Sequence, residues 1–193
     1  MPRRRRLDRR QVIEAAIAVT EAEGPQALGI NRVARALGIK PPSLYNHVAN
    51  GNDLAWGVVI EANRRLLAHV RAVPVHGTDP QTRVIRLAET LRAWAMDNLS
   101  LYTVMAQTPV NNDDPEFAVL MDEMMPLFGH PLKELGLTGD AVIHAMRTMR
   151  SAVHGFVLLE SSEQFGLSQP VDDSFQWLVT ALVRGFAAGP LRD

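Results

Sequence analysis

The stretch LGINRVARALGIKPPSLYNHVANGNDL, residues 28–54, decides the fold. Val33, Ala34 and Leu37 line one side of a helix. Gly38 follows where a helix commonly closes on a left-handed residue, a conformation glycine takes without a Cβ penalty. Pro41 and Pro42 then open a second helix, where a missing N–H costs nothing because first-turn donors have no intrahelical partner. Leu44 and Val48 turn back toward a core. The two prolines, Ser43, Tyr45, Asn46 and His47 are left on or near an exposed face. The stretch therefore reads as two short helices joined by a tight turn, then the opening of a third.

Outward from that stretch the whole chain reads as helix. Asp8 caps a first helix with Gln11 at the capping-box position, and Val12, Ala15, Ala16, Val19 and Ala22 give its apolar face. Gly24-Pro25 ends it. Asn52 is expected to cap a fourth helix running to about Ala72, with Asn50-Gly51 as a turn before it and Pro74 and His76-Gly77 as the break after it. Asp79-Pro80 starts a fifth, and 98–108 is a short sixth helix or an irregular segment. Asp114-Pro115 starts a seventh, which Pro126 and Gly129-His130-Pro131 are expected to interrupt. An eighth runs from Asp140 to about Gln164, and a ninth from Pro170-Val171-Asp172 to Gly189-Pro190. Strand alternation and internal repeats are absent. The fold class is all-α with about nine helices: a three-helix helix-turn-helix domain over 1–50, then a larger helical bundle over 51–193.

Composition is that of an ordinary globular protein, with 47% hydrophobic and 21% charged residues. No apolar run approaches the roughly 20 residues of a membrane span, and the basic start MPRRRRLDRR lacks the apolar run of a signal peptide. A cytoplasmic protein without a membrane partner is expected. Without cysteine there is no disulfide, no thiolate nucleophile and no Cys-ligated zinc. Net charge is −1, but residues 1–50 hold nine Arg/Lys against four Asp/Glu, while the remainder holds eleven against seventeen. A basic N-terminal unit on an acidic body puts positive potential where a polyanion would dock. Arg3–Arg6 are expected to be a disordered arm that neutralises phosphates when DNA is present. A short helix with a small, polar and aromatic outer face suits the DNA major groove.

The run VARALGIKPPSLYNHV resembles the helix-turn-helix of TetR-type transcriptional regulators, through Val33, Ala34, Leu37, Gly38, Ile39, Leu44, Tyr45, His47, Val48 and Leu54. The resemblance covers about the first 65 residues. It implies that Pro41, Pro42 and Ser43 lie at base edges, where proline rings and the serine methylene suit thymine methyl groups. Tyr45 and His47 resemble the motif's phosphate-contacting pair. Lys40 at the turn is within reach of backbone or base, Asn46 is suited to adenine, and Asn31 or Arg32 faces the phosphates. Many family members carry Lys just before the fourth helix, where this chain has Gly51. Losing that cation weakens phosphate contact, and the four-arginine arm is expected to compensate.

Further on, His154-Gly155 with Leu159-Glu160 and Phe165 resembles the HG-x-x-x-LE-x-x-x-x-F block of one branch of the family's C-terminal domains, with Arg150 near a place often held by Trp. The family implies a homodimer joined through the last two helices, and useful specificity from short helix-turn-helix contacts independently calls for two copies on a palindromic operator. It also implies a small-molecule effector. Seven of the eight methionines fall between residues 96 and 149, which points to a mostly apolar ligand. Candidate pocket residues are Trp94, Tyr102, Met105, Phe117, Met121, Met125, Met146, Met149 and His154, though each also suits a plain core. His144 and His154 are badly spaced for a shared metal, and no metal or cofactor site and no catalytic motif is read. The expected function is a repressor that its effector releases from double-stranded DNA. The alternative is a helical ligand-binding or adaptor protein that no longer binds DNA.

Overall fold

Asp8 opens the first helix as the sequence indicates: its carboxylate accepts from the Gln11 backbone N–H at 2.8 Å, while the Gln11 side chain accepts from the Asp8 N–H at 3.1 Å. The computed structural model describes residues 7–74 and 78–189, and these form nine α-helices with no strand among them. They are α1 (Arg9–Glu23), α2 (Ile30–Ala36), α3 (Pro41–Leu44), α4 (Gly51–Arg71), α5 (Pro80–Asp97), α6 (Leu99–Gln107), α7 (Pro115–Glu134), α8 (Asp140–Ser161) and α9 (Val171–Ala188), with one 3₁₀ turn over Pro25–Ala27. The Arg3–Arg6 arm and His76-Gly77 lie outside the described residues.

The chain packs as two units, one holding residues up to Arg65 together with Asn98–Phe117, the other Leu66–Asp97 and everything from Ala118. In the first, α1 packs on α2 and α6, and α2 on α3. Its core is Val12, Ala16, Val33, Ala34, Leu44, Val48, Leu54 and Val58, all essentially sealed from solvent. The stripe on α1 is wider than expected, because Ile13, Ile17 and Thr20 are buried too, whereas Ala22 is exposed. Ile13 fills the notch left by Gly57, where a Cβ would collide with it, so α1 and α4 cross closely.

In the second unit α5, α8 and α9 pack on one another around Trp94, Val153, Val157, Phe175, Val179 and Val183. Arg92 of α5 sits among them with only 15% of its side chain exposed. Its guanidinium grips both oxygens of Glu160 on α8, with Nε donating at 2.7 Å, and Nη1 reaches Asp172 on α9 at 2.8 Å. The same group lies 4.8 Å from the Phe175 ring centre and 5.4 Å from that of Phe156. Phe156 in turn touches Phe165, with ring centres 4.8 Å apart. The Glu of the HG-x-x-x-LE block thus ties the end of α8 to α5, and through Arg92 to Asp172 of α9, while its Phe folds back on Phe156 of α8 itself.

Three boundaries differ from expectation. Asn50, not Asn52, caps α4: its side-chain oxygen accepts from the Asp53 N–H at 3.0 Å, so Gly51 is already helical. Neither Pro126 nor the Gly129–Pro131 stretch interrupts α7, which runs on to Glu134. Phe117, Leu120, Met124, Pro131 and Leu132 make one buried stripe along it, and burying that stripe outweighs the two lost donors. Gly136 at φ +97° ends it, with the Leu137 N–H bonded back to Leu132 and the Gly136 N–H to Lys133. The eighth helix stops at Ser161 rather than Gln164. There Glu163 takes φ +54° in the left-handed region and closes the helix as glycine usually does, so no glycine marks the end.

Candidate nucleic-acid interface

Residues 40–47 form one continuous surface because the turn before them is closed tightly. Gly38 adopts φ +67°, and the Ile39 and Gly38 N–H groups bond to the carbonyls of Ala34 and Arg35 at 3.0 and 3.1 Å. The next helix is short: α3 covers only Pro41–Leu44, and Tyr45–His47 continue it as a turn. Leu44 and Val48 are buried beneath this segment. Lys40, Pro42, Ser43, Tyr45 and Asn46 are exposed, Tyr45 by 55%, while Pro41 and His47 are half-buried. Asn31 is exposed on α2. Arg32 is not free, since its guanidinium holds Glu23 through both oxygens and keeps that carboxyl below the usual range.

A second cluster fastens the far end of the segment. Arg9 Nη1 donates to the His47 carbonyl at 3.0 Å and to Asp53 Oδ2 at 2.9 Å, while Nη2 donates to Asp53 Oδ1 at 2.6 Å. Asp53 Oδ2 also accepts from the Ala49 N–H at 2.7 Å. The Arg9 bond, then the Ala49 bond, hold the Asp53 carboxyl below its ordinary value, and Asp53 raises Arg9 further. Nearby, Trp56 on α4 donates to Asp114 at 2.9 Å, and Asp114 caps α7 by accepting from Glu116 and Phe117 N–H groups. Those bonds lower the Asp114 carboxyl as well. The signals for these residues are not local in sequence: Arg9 and Asp53 stand 44 positions apart, Trp56 and Asp114 58.

The candidate pocket residues fall in both units. In the first, Tyr102 and Met105 are half-buried on α6, and Phe117 is buried with its ring centre 5.2 Å from that of Trp56. In the second, Trp94 and Met149 are buried, Met121, Met146 and His154 are half-buried, and Met125 is exposed. Met146 approaches α7 at Gly129. Among the described residues no group of three His, Asp or Glu could hold a metal ion, and no helix is long and apolar enough to cross a membrane.

Comparison with known proteins identifies the family and the fold. Residues 84–182 match the family model described as "Tetracyclin repressor-like, C-terminal domain". An HTH-type transcriptional regulator of Mycobacterium tuberculosis is 32% identical over 95% of this chain and 82% of its own length. The crystal structure of BioQ with its double-stranded DNA operator is similar in fold, at 23% identity and TM-score 0.71 over 95% of this chain and 99% of that one. So is the Streptomyces coelicolor TetR family protein ActR in complex with (S)-DNPA, at 21% identity and TM-score 0.73 over 95% and 98%. The chain belongs to the TetR-type helix-turn-helix transcriptional regulators, a family of DNA-binding proteins and not of enzymes.

Proposed function

We propose that this protein is a homodimeric repressor that an apolar small molecule releases from a palindromic operator. The observation that carries the DNA reading is the exposed surface of Lys40, Pro42, Ser43, Tyr45 and Asn46 over the half-buried Pro41 and the buried anchor Leu44. Pro41, Pro42 and Ser43 lie against base edges, and the Tyr45 hydroxyl and His47 imidazole donate to phosphates. Asn46 reads adenine, and Lys40, Asn31 and the Arg3–Arg6 arm add backbone contacts. Arg32 contributes only if it leaves Glu23. On a duplex selected by the wild type from random sequences, Tyr45→Phe is expected to weaken binding about three- to tenfold, equally on operator and unrelated DNA. Unchanged affinity contradicts the phosphate role.

Gly51 gives a gain-of-function test. Beyond its chain neighbours and its own helix's backbone, nothing stands within 4 Å of the place a Cβ would occupy, and the residue is exposed. Gly51→Lys is expected to tighten DNA binding and to steepen the dependence of log affinity on log salt by about one. An unaltered slope places residue 51 away from the phosphates.

Dimerisation is assigned to the outer faces of α8 and α9. Leu158 and Leu159 are exposed on α8, and Trp177 is 80% exposed on α9 in line with exposed Ala181 and Gly185. The effector reading rests on the half-buried Met121 and Met146 of α7 and α8 and on ActR, a relative in fold solved with (S)-DNPA. Effector and operator then oppose each other through one reciprocal coupling energy.

A further inference from the structure

We infer that Arg9 and Asp53 are positioning residues for DNA recognition: together they clamp the carboxyl end of the recognition segment, and they act on sequence selectivity without touching DNA. The inference rests on the regulator reading above and concerns how that same surface is held.

Four helical residues cannot sustain their own conformation, because so short a helix never recovers the cost of nucleation. Leu44 and Val48 anchor one side of the segment by burial. Apolar contact fixes depth but is non-directional, so it leaves rotation about the segment's own axis weakly defined. The directional restraint comes from Arg9. A single planar guanidinium bonds the His47 carbonyl at 3.0 Å and both oxygens of Asp53 at 2.9 and 2.6 Å. Asp53 then accepts from the Ala49 N–H at 2.7 Å, and Asn50 caps Asp53's own N–H at 3.0 Å. The peptide from His47 to Asn50 is thereby held to α1 on one side and to the first turn of α4 on the other. Tyr45 and Asn46 immediately precede this clamp, and His47 is its first residue.

Arg9 is 47% exposed, so a direct phosphate contact is the competing role. The two roles differ in sign. A phosphate-contacting Arg9 binds DNA more tightly once its carboxylate partner is neutralised, and it tolerates lysine. A positioning Arg9 loses function in both cases, since a lysine ammonium cannot span the His47 carbonyl and both Asp53 oxygens.

The experiment compares full-length wild type, Asp53→Asn and Arg9→Lys on the duplex the wild type selects from a random pool, and on a scrambled duplex of equal length. Whether wild type selects any duplex judges the regulator reading. The variant-to-wild-type ratios judge the clamp. Each variant is expected to lose roughly tenfold on the selected duplex, to bind the scrambled one within about twofold of wild type, and to keep the wild-type salt slope. Amide hydrogen exchange supplies the readout that general destabilisation does not give: faster exchange confined to 44–49, with α1 and the rest of α4 unchanged. Tighter binding by Asp53→Asn, full activity of Arg9→Lys, or exchange that rises across α1 and α4 alike overturns the inference.

Discussion

Arg92→Ala is expected to lower the melting temperature by roughly 6–12 °C, from a loss of about 3 kcal/mol in a chain of this size. Arg92 and Glu160 expose only 15% and 17% of their side chains, and their grip is bidentate. Removing the cation leaves the Glu160 carboxylate largely out of water with its main partner gone, and the cost is that of an uncompensated charge rather than of a surface ion pair. Asp172 contributes little, being 83% exposed. The contact of the guanidinium with the Phe156 and Phe175 rings is lost as well. Calorimetry on Arg92→Met and on Arg92→Met/Glu160→Leu separates these effects. The single change keeps an apolar stem over the rings but strands Glu160, while the double change removes the stranded charge and recovers most of the loss. A melting temperature for Arg92→Ala within 2 °C of wild type contradicts a structural role for the pair.

The second large effect is expected at Trp177. With 80% of its surface exposed, Trp177 takes little part in the core of its own chain. It heads a row with Ala181 and Gly185 whose small side chains let another helix approach, while Phe175, Val179 and Val183 on the opposite face of α9 supply the core. Trp177→Glu puts a charge in the proposed twofold contact and is expected to give a folded monomer in sedimentation. Operator affinity then falls by a hundredfold or more, because two half-sites are no longer engaged as one linked event. A Trp177→Glu protein that sediments as wild type does removes α9 from the interface.

Features set by local chemistry were legible in the sequence. The capping box at Asp8, the left-handed Gly38, the Pro41-Pro42 start and the Asp79 and Asp114 caps each depend on residues within a few positions of one another. The exposed run of the recognition segment was legible for the same reason. Proline in α7 misled because its penalty is local, whereas the buried stripe that overrides it is tertiary. The end of α8 was hidden because Glu163, not glycine, takes the left-handed turn. The clamp of Arg9 on Asp53 and the hub at Arg92 were illegible on different grounds. Arginines and carboxylates are common on any helix surface, and only the folded backbone shows which of them meet.

The most direct test of the central claim is the sequence of the duplexes that the full-length protein retains from a random pool. A symmetric pair of chains, each laying residues 41–47 in a major groove, selects an inverted repeat with half-site centres about one helical turn, or a multiple of it, apart. That repeat should lose definition at particular base pairs when Ser43 or Asn46 is replaced by alanine. Recovery of no enriched sequence, or of a motif without twofold symmetry that Ser43→Ala and Asn46→Ala leave intact, contradicts the account.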